Sequence, residues 1–122
     1  MSVGDPTAEQ LYTQAADGTF RMDGDLARKC AATFLRFAAA LDPQLARSTE
    51  LQSLTGFGGF DSARQLRRGF EGKAAELTTT LRGLRETAVR MAEAYLVAGG
   101  LIEEADALHG TAVRAAAADL DP

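Results

Sequence analysis

Tryptophan is absent from this chain, and cysteine and histidine occur once each, as Cys30 and His109. A single cysteine excludes an internal disulfide framework and a thiolate metal set. A single histidine excludes a catalytic or metal-binding imidazole cluster within the chain. Aromatic residues reach only 7%, and the prolines are three, Pro6, Pro43 and Pro122. With β-branched residues also sparse, neither a sheet nor a thick globular core is expected. No apolar run approaches the ~20 residues that a membrane span requires. The opening MSVGDPTAEQ has neither the basic nor the apolar region of a secretory signal, so a cytoplasmic location is expected before any export. The net charge is −4 and the pI about 4.9. Outside Arg64, Arg67 and Arg68 there is no basic footprint to release counterions, and no nucleic-acid partner is expected.

What is abundant is alanine, which supplies much of the 46% hydrophobic share. Alanine is the best helix former and buries little area, which favours long, closely approaching helices. The expected fold is all-α: one domain over 1–122, a helix-turn-helix hairpin with a short N-terminal helix and a long C-terminal one. The short helix is expected over 5–17, with Asp5 as N-cap, Pro6 in the first turn and Gly18 at its end. A second helix, capped by Asp23 or Asp25, is expected over 23–52 with Leu26, Cys30, Phe34, Phe37, Leu41, Leu45 and Leu51 on its apolar face. Pro43 should kink or break it near Leu41–Asp42.

The strongest punctuation is Leu54-Thr-Gly-Phe-Gly-Gly-Phe60, expected to form a turn over 53–61, with Asp61 or Ser62 capping the next helix. No Lys-Ser/Thr follows it and no strand precedes it, so it is not a phosphate loop. Phe57 and Phe60 either pack at the hairpin tip or remain exposed for a partner.

The last helix is expected over 62–115. Phe70, Ala74, Leu77, Leu81, Leu84, Ala88, Met91, Tyr95, Ala98, Ile102, Ala105, His109 and Ala112 recur by alternating threes and fours, a heptad seam. Local bending is expected at Gly99-Gly100. On that seam His109 reads as a core or partner contact, and Cys30 as a small core residue of the preceding helix. Glu103, Glu104 and Asp106 read as a solvated face, because two rods offer no cleft to separate carboxylate pKa values. No nucleophile, base and stabiliser can be assembled, so no enzyme and no cofactor is expected. Crowding of Arg64, Arg67 and Arg68 at a helix start points either to an acidic partner or to pairing with Asp61 and Glu71.

Unequal arms imply a partner. At 1.5 Å per residue the first arm spans ~40 Å and the second ~80 Å. Either the N-terminal helix covers the excess or another chain does, and two hairpins completing a four-helix bundle as a dimer answer this most simply.

The stretch LTGFGGFDSARQLRRGFEGKAAELTTTLRGLRETAVRMAEAYLVAGGLIEEAD, residues 54–106, together with the earlier LYTQAADGTFRMD, resembles the Trp-x-Gly (WXG, ESAT-like) superfamily of type VII (ESX) secretion-associated proteins. The likeness is strongest to its EspC-like actinobacterial branch. Phe57-Gly58-Gly59, followed by Phe60, stands at the place of the Trp-x-Gly turn, with phenylalanine for tryptophan. Ile102 to Asp106 stands where the branch carries a Tyr-x-x-x-Asp/Glu export signal, with the tyrosine replaced. The resemblance implies a coiled-coil homodimer or heterodimer with a related helical protein or an effector N-terminus, and contact with a secretion ATPase. It also implies that the turn of one protomer and the signal of the other form one patch. The seam Phe70, Leu77, Leu81, Leu84, Met91, Tyr95 and Ile102 would line the dimer. With both signature residues replaced, the chain is either a secreted substrate or effector partner, or a cytoplasmic adaptor or chaperone-like dimer with no export role.

Overall fold

The computed structural model describes residues 4–120, which fold as five helices: α1 (Asp5–Ala16), α2 (Gly24–Ala40), α3 (Asp42–Glu50), α4 (Asp61–Ala98) and α5 (Ile102–Leu120). No strand occurs among the described residues. The fold is all-α, with a short N-terminal helix and a hairpin of α2–α3 against the long α4. The outermost residues of the expected 1–122 domain, 1–3 and 121–122, lie outside the described ones.

α1 is too short to be stable alone, and α4 holds it in place. Ala8 and Ala15, seven residues apart, are buried. The expected cap is displaced: Gly4, at φ +84°, occupies the N-cap position, and Asp5 instead accepts a hydrogen bond from Thr87 Oγ1 on α4. Met22 N–H donates to the Ala98 carbonyl at 3.0 Å and ties the link between α1 and α2 to the far end of α4.

The Asp23 carboxylate caps α2 by accepting from the Asp25 and Leu26 amides. Of the large residues expected on the inner face of 23–52, Phe34 packs against the core and Leu45 of α3 is buried, but the rest are not what the face buries. Ala27, Ala31 and Ala38 form the seam against α4, while Leu26 and Phe37 are about half exposed at 51% and 48%. Cys30 is only partly buried. Small side chains win that face because they allow the two backbones to approach closely. Pro43, second residue of α3, cannot donate the amide that would continue the ladder, and the helix breaks at Leu41. Thr78 Oγ1 then joins α4 to α3: it lies 2.7 Å from Ser48 Oγ and accepts from Gln52 Nε2 at 2.7 Å. Both hydroxyl residues are almost fully buried.

The single helix expected over 62–115 is two helices. α4 stops at Ala98 because Gly100 takes φ +74°, which an alanine would resist. The Leu101 and Gly100 amides fold back onto the Leu96 and Val97 carbonyls at 2.9 and 3.0 Å, and Leu101 packs against Leu96. This is a Schellman stop, not a bend. α5 then doubles back along α4, placing Ala105 with Ala31, Ala92 and Leu96 in the core. Around that cluster Phe34 stacks on Tyr95 at 5.6 Å, and Phe20 meets the same ring edge-on at 6.0 Å.

Unequal arm lengths do not by themselves call for a partner, because α4 and α5 are separate helices. The C-terminal half of α4 is covered from within, by α1, α2 and α5. Its turn-proximal half packs against α3 on one face, and there the exposed apolar residues gather.

Candidate interaction surface

At ~100° per residue, Leu66, Phe70, Leu77 and Leu84 fall within about 40° of one another on α4. Ala74 and Thr78, which pack toward α3, lie roughly 60–100° further round. Leu66, Phe70 and Leu77 are exposed at 54%, 54% and 47%, while Leu81 and Leu84 are intermediate. The seam therefore divides. Its upper members, Met91 and Tyr95, are half-buried within the chain, and its lower members face outward.

The turn extends the lower stripe. Phe57 packs beside Phe70 with ring centroids 6.3 Å apart, whereas Phe60 is 80% exposed. Gly56 and Gly58 take φ near +87°, so the turn needs glycine at both. Leu54 N–H donates to Glu71 Oε2 at 2.8 Å and fastens the turn to α4. The anticipated Asp61 or Ser62 cap is not made: Phe60 holds the N-cap position without a side-chain bond, and Asp61 pairs with Arg64 at 3.8 Å. Arg67 pairs with Glu71 at 3.8 Å and Arg64 donates to the Gly59 carbonyl, so these two arginines at the helix start are engaged within the chain.

Gly69 and Gly72 add a further feature. They lie inside α4, away from α3 and about 80° and 140° round from the centre of the apolar stripe, and a Cβ at either would meet nothing within 4 Å. Each costs a helix about 1 kcal/mol relative to alanine, and nothing around them in the chain requires a bare backbone.

The export-signal positions stand at the opposite end. Ile102 is half exposed and Asp106 exposed, both in the first turns of α5. α4 has 38 residues, so ~57 Å of helix separates them from Phe57–Phe60. The chain does not bring the two motifs together.

Of the α5 carboxylates, Glu104 receives Arg28 in a two-nitrogen grip, the shortest contact 2.9 Å, and this bond holds its carboxyl below the ordinary value. Glu104 is thus an α2–α5 clasp as well as part of a solvated face. His109, expected as a core or partner contact, is not in the core of the chain: it is exposed and places Nδ1 3.2 Å from Glu93 Oε1. Glu93 is the carboxylate that the sequence did not mark out: it is 3% exposed, with its other oxygen 2.8 Å from Arg90. Arg90 also grips Glu9 at 2.7 Å and sits 3.6 Å over the centre of the Tyr12 ring. The hydrogen bond from Arg90 pulls the Glu9 carboxyl below its ordinary value. The partners of this network come from α1, α4 and α5, so no local pattern on any one helix could have revealed it.

Beyond Ala105, α5 diverges and leaves a cleft of about 820 Å³ between itself and α1, α2 and α4. Leu35, Ala39, Val89, Leu108 and Val113 supply apolar walls. The lining carries five carboxylates, Asp5, Glu9, Asp42, Glu86 and the buried Glu93, against the guanidiniums of Arg85 and Arg90 and the imidazole of His109.

Among the described residues no group of three or more His, Cys, Asp or Glu could hold a metal ion, and no helix is long and apolar enough to cross a membrane. Compared with family models, with curated proteins and with solved structures, the chain matches none.

Proposed function

We propose that this chain is a non-enzymatic protein-interaction module, working as a type VII secretion substrate or as the small partner of an effector. The observation that carries the interaction reading is the bare stripe of Leu66, Phe70 and Leu77 beside Phe57 and Phe60. Half-exposed leucine and phenylalanine side chains on one face each offer on the order of 1 kcal/mol on burial, and nothing in the chain takes it up. The bare glycines Gly69 and Gly72, on a separate open face of the same helix, suit close approach by another helix. The occupant is a second copy, a related helical protein or an effector N-terminus. The secretion link and the actinobacterial setting rest on the residues 54–106 that resemble the WXG superfamily.

The replaced tryptophan and tyrosine, at Phe57 and Ile102, favour a second reading: a cytoplasmic adaptor that stays behind. Two measurements separate these readings. Co-purification with the products of adjacent genes, together with light scattering at high micromolar concentration, tests the module. A fully helical monomer that captures nothing would sink it. Detection in culture supernatant, abolished by deleting the secretion ATPase, is expected of the substrate. Export that persists without the ATPase, or no export at all, removes the secretion link and leaves the adaptor.

A further inference from the structure

The two unsatisfied surfaces of this chain are complementary to each other. One is a convex helix, the start of α4, with Leu66, Phe70 and Leu77 outward and Gly69 and Gly72 on the flank. The other is the concave cleft under α5, apolar along Leu35, Val89, Leu108 and Val113. They lie near opposite ends of α4, so neither can reach the other within one chain.

We infer that the α4 tip of one copy inserts into the α5 cleft of a second copy, giving a head-to-tail pair. This rests on the interaction-module reading and names its partner surface.

Four observations carry it. The dimensions admit a short length of helix: Arg85 to Glu93, the α4 wall of the cleft, runs ~12 Å, about two turns, so the cleft of about 820 Å³ takes the part of the tip from Phe70 to Leu77. The charges oppose: the helix from Asp61 to Leu77 carries four basic and three acidic groups, while the cleft lining carries five carboxylates against two guanidiniums and one imidazole. Lys73 belongs to the stripe itself, with its side chain 81% exposed and its ammonium 3.3 Å from the similarly open Glu76, an exposed pair that an acidic rim can exchange. Finally, a helix lying between two walls touches both. The leucine and phenylalanine stripe meets one, and the glycine flank lets the backbone approach the other, which gives Gly69 and Gly72 the role they lack in the isolated chain.

About two turns of helix bury less than the ~1,600 Å² of a standard interface, so the association is weak, micromolar or weaker. The same tip and cleft remain free at the two ends of the pair, and such a contact extends into short chains at high concentration.

The test uses the full chain with two variants on residues outside the core, Phe70→Asp at the tip and Val113→Asp in the cleft, with circular dichroism confirming that each stays helical. Light scattering at several hundred micromolar should show wild type associating and each variant monomeric. Mixed, the variants should form a one-to-one dimer, because each retains the surface the other lost. Raising salt from 0.05 to 0.5 M (about 14 Å to 4 Å of screening length) should weaken the pair several-fold. The inference is overturned if wild type stays monomeric, if Val113→Asp associates like wild type, or if the mixed variants remain monomers. A pair lost by Phe70→Asp alone and strengthened by salt is a symmetric tip-to-tip dimer, which keeps the proposed function and removes this geometry. Should both variants misfold, Leu66→Lys and Ala39→Glu replace them in the same scheme.

Discussion

A methyl group added at Gly99 would collide with the Ala27 Cβ, whereas one added at Gly69 would meet nothing within 4 Å. The two glycines look alike in the sequence, and they should respond oppositely to the same change. Gly99→Ala forces α2 away from the end of α4 and should destabilise by about 1–3 kcal/mol. Gly69→Ala removes a flexible residue from an exposed helix and should stabilise the dilute monomer by ~0.5–1 kcal/mol. Urea unfolding followed by far-ultraviolet circular dichroism reads both, and equal effects at the two sites would contradict the packing. What separates Gly99 from Gly69 is a neighbour brought in by tertiary folding, which no local pattern contains. Glu93 is illegible for the same reason. It looks like any helix-surface glutamate until α1 and α5 fold over it and supply Arg90's second grip and His109.

Elements were easier to read than residues where the chain itself carries the stop. Pro43 removes an amide wherever it is placed, and the glycines around Phe57 need left-handed backbone, so the break at Leu41 and the turn before Asp61 are set by residue type. The stop at Gly99-Gly100 was also written there, as glycine followed by the apolar Leu101. An unbroken heptad phase running from Phe70 to Ala112 outweighed it, because periodicity shows which face is apolar and not whether the helix is continuous. α1 gives a prediction at this scale. Its hold on α4 includes the Glu9–Arg90 pair, with the Glu9 carboxyl held below its ordinary value. A carboxylate depressed in the folded state stabilises fully above its ordinary pKa, and the contribution is lost as pH falls through the folded value. Acid should therefore loosen α1 before the rest. Glu9 is largely exposed, so solvent screening keeps the effect under ~1 kcal/mol. With Tyr95→Phe leaving Tyr12 as the sole tyrosine, fluorescence followed from pH 7 to pH 3 should report a transition ahead of the loss of helix signal. Adding Glu9→Gln should remove the pH dependence of that early step. Coincident transitions with Glu9 intact would show that the pair does not govern α1.

The whole molecule is a rod of unequal ends. One end gathers α1, α2 and α5 around the C-terminal half of α4, with the aromatic group on Tyr95. The other has α3 and the turn against one face of α4, joined by the Ser48–Thr78–Gln52 hydroxyl and amide contacts. The largest fully buried side chains among the described residues are Thr78 and Ser48, so neither end has a thick core, and the thinner end has little to hold it beyond α3. Local opening free energy follows the buried contacts around a segment. Amides from about 64 to 80 should therefore exchange with solvent through small openings, while those from about 88 to 98 should exchange only near global unfolding. Hydrogen exchange of the dilute chain should show this gradient along what is one unbroken helix. Raising the concentration supplies the missing information: if a second copy covers Leu66, Phe70 and Leu77, protection over 64–80 rises with protein concentration while 88–98 stays unchanged. A uniform protection pattern, the same at every concentration, would mean that the tip is rigid by itself and that its apolar stripe has no self-partner.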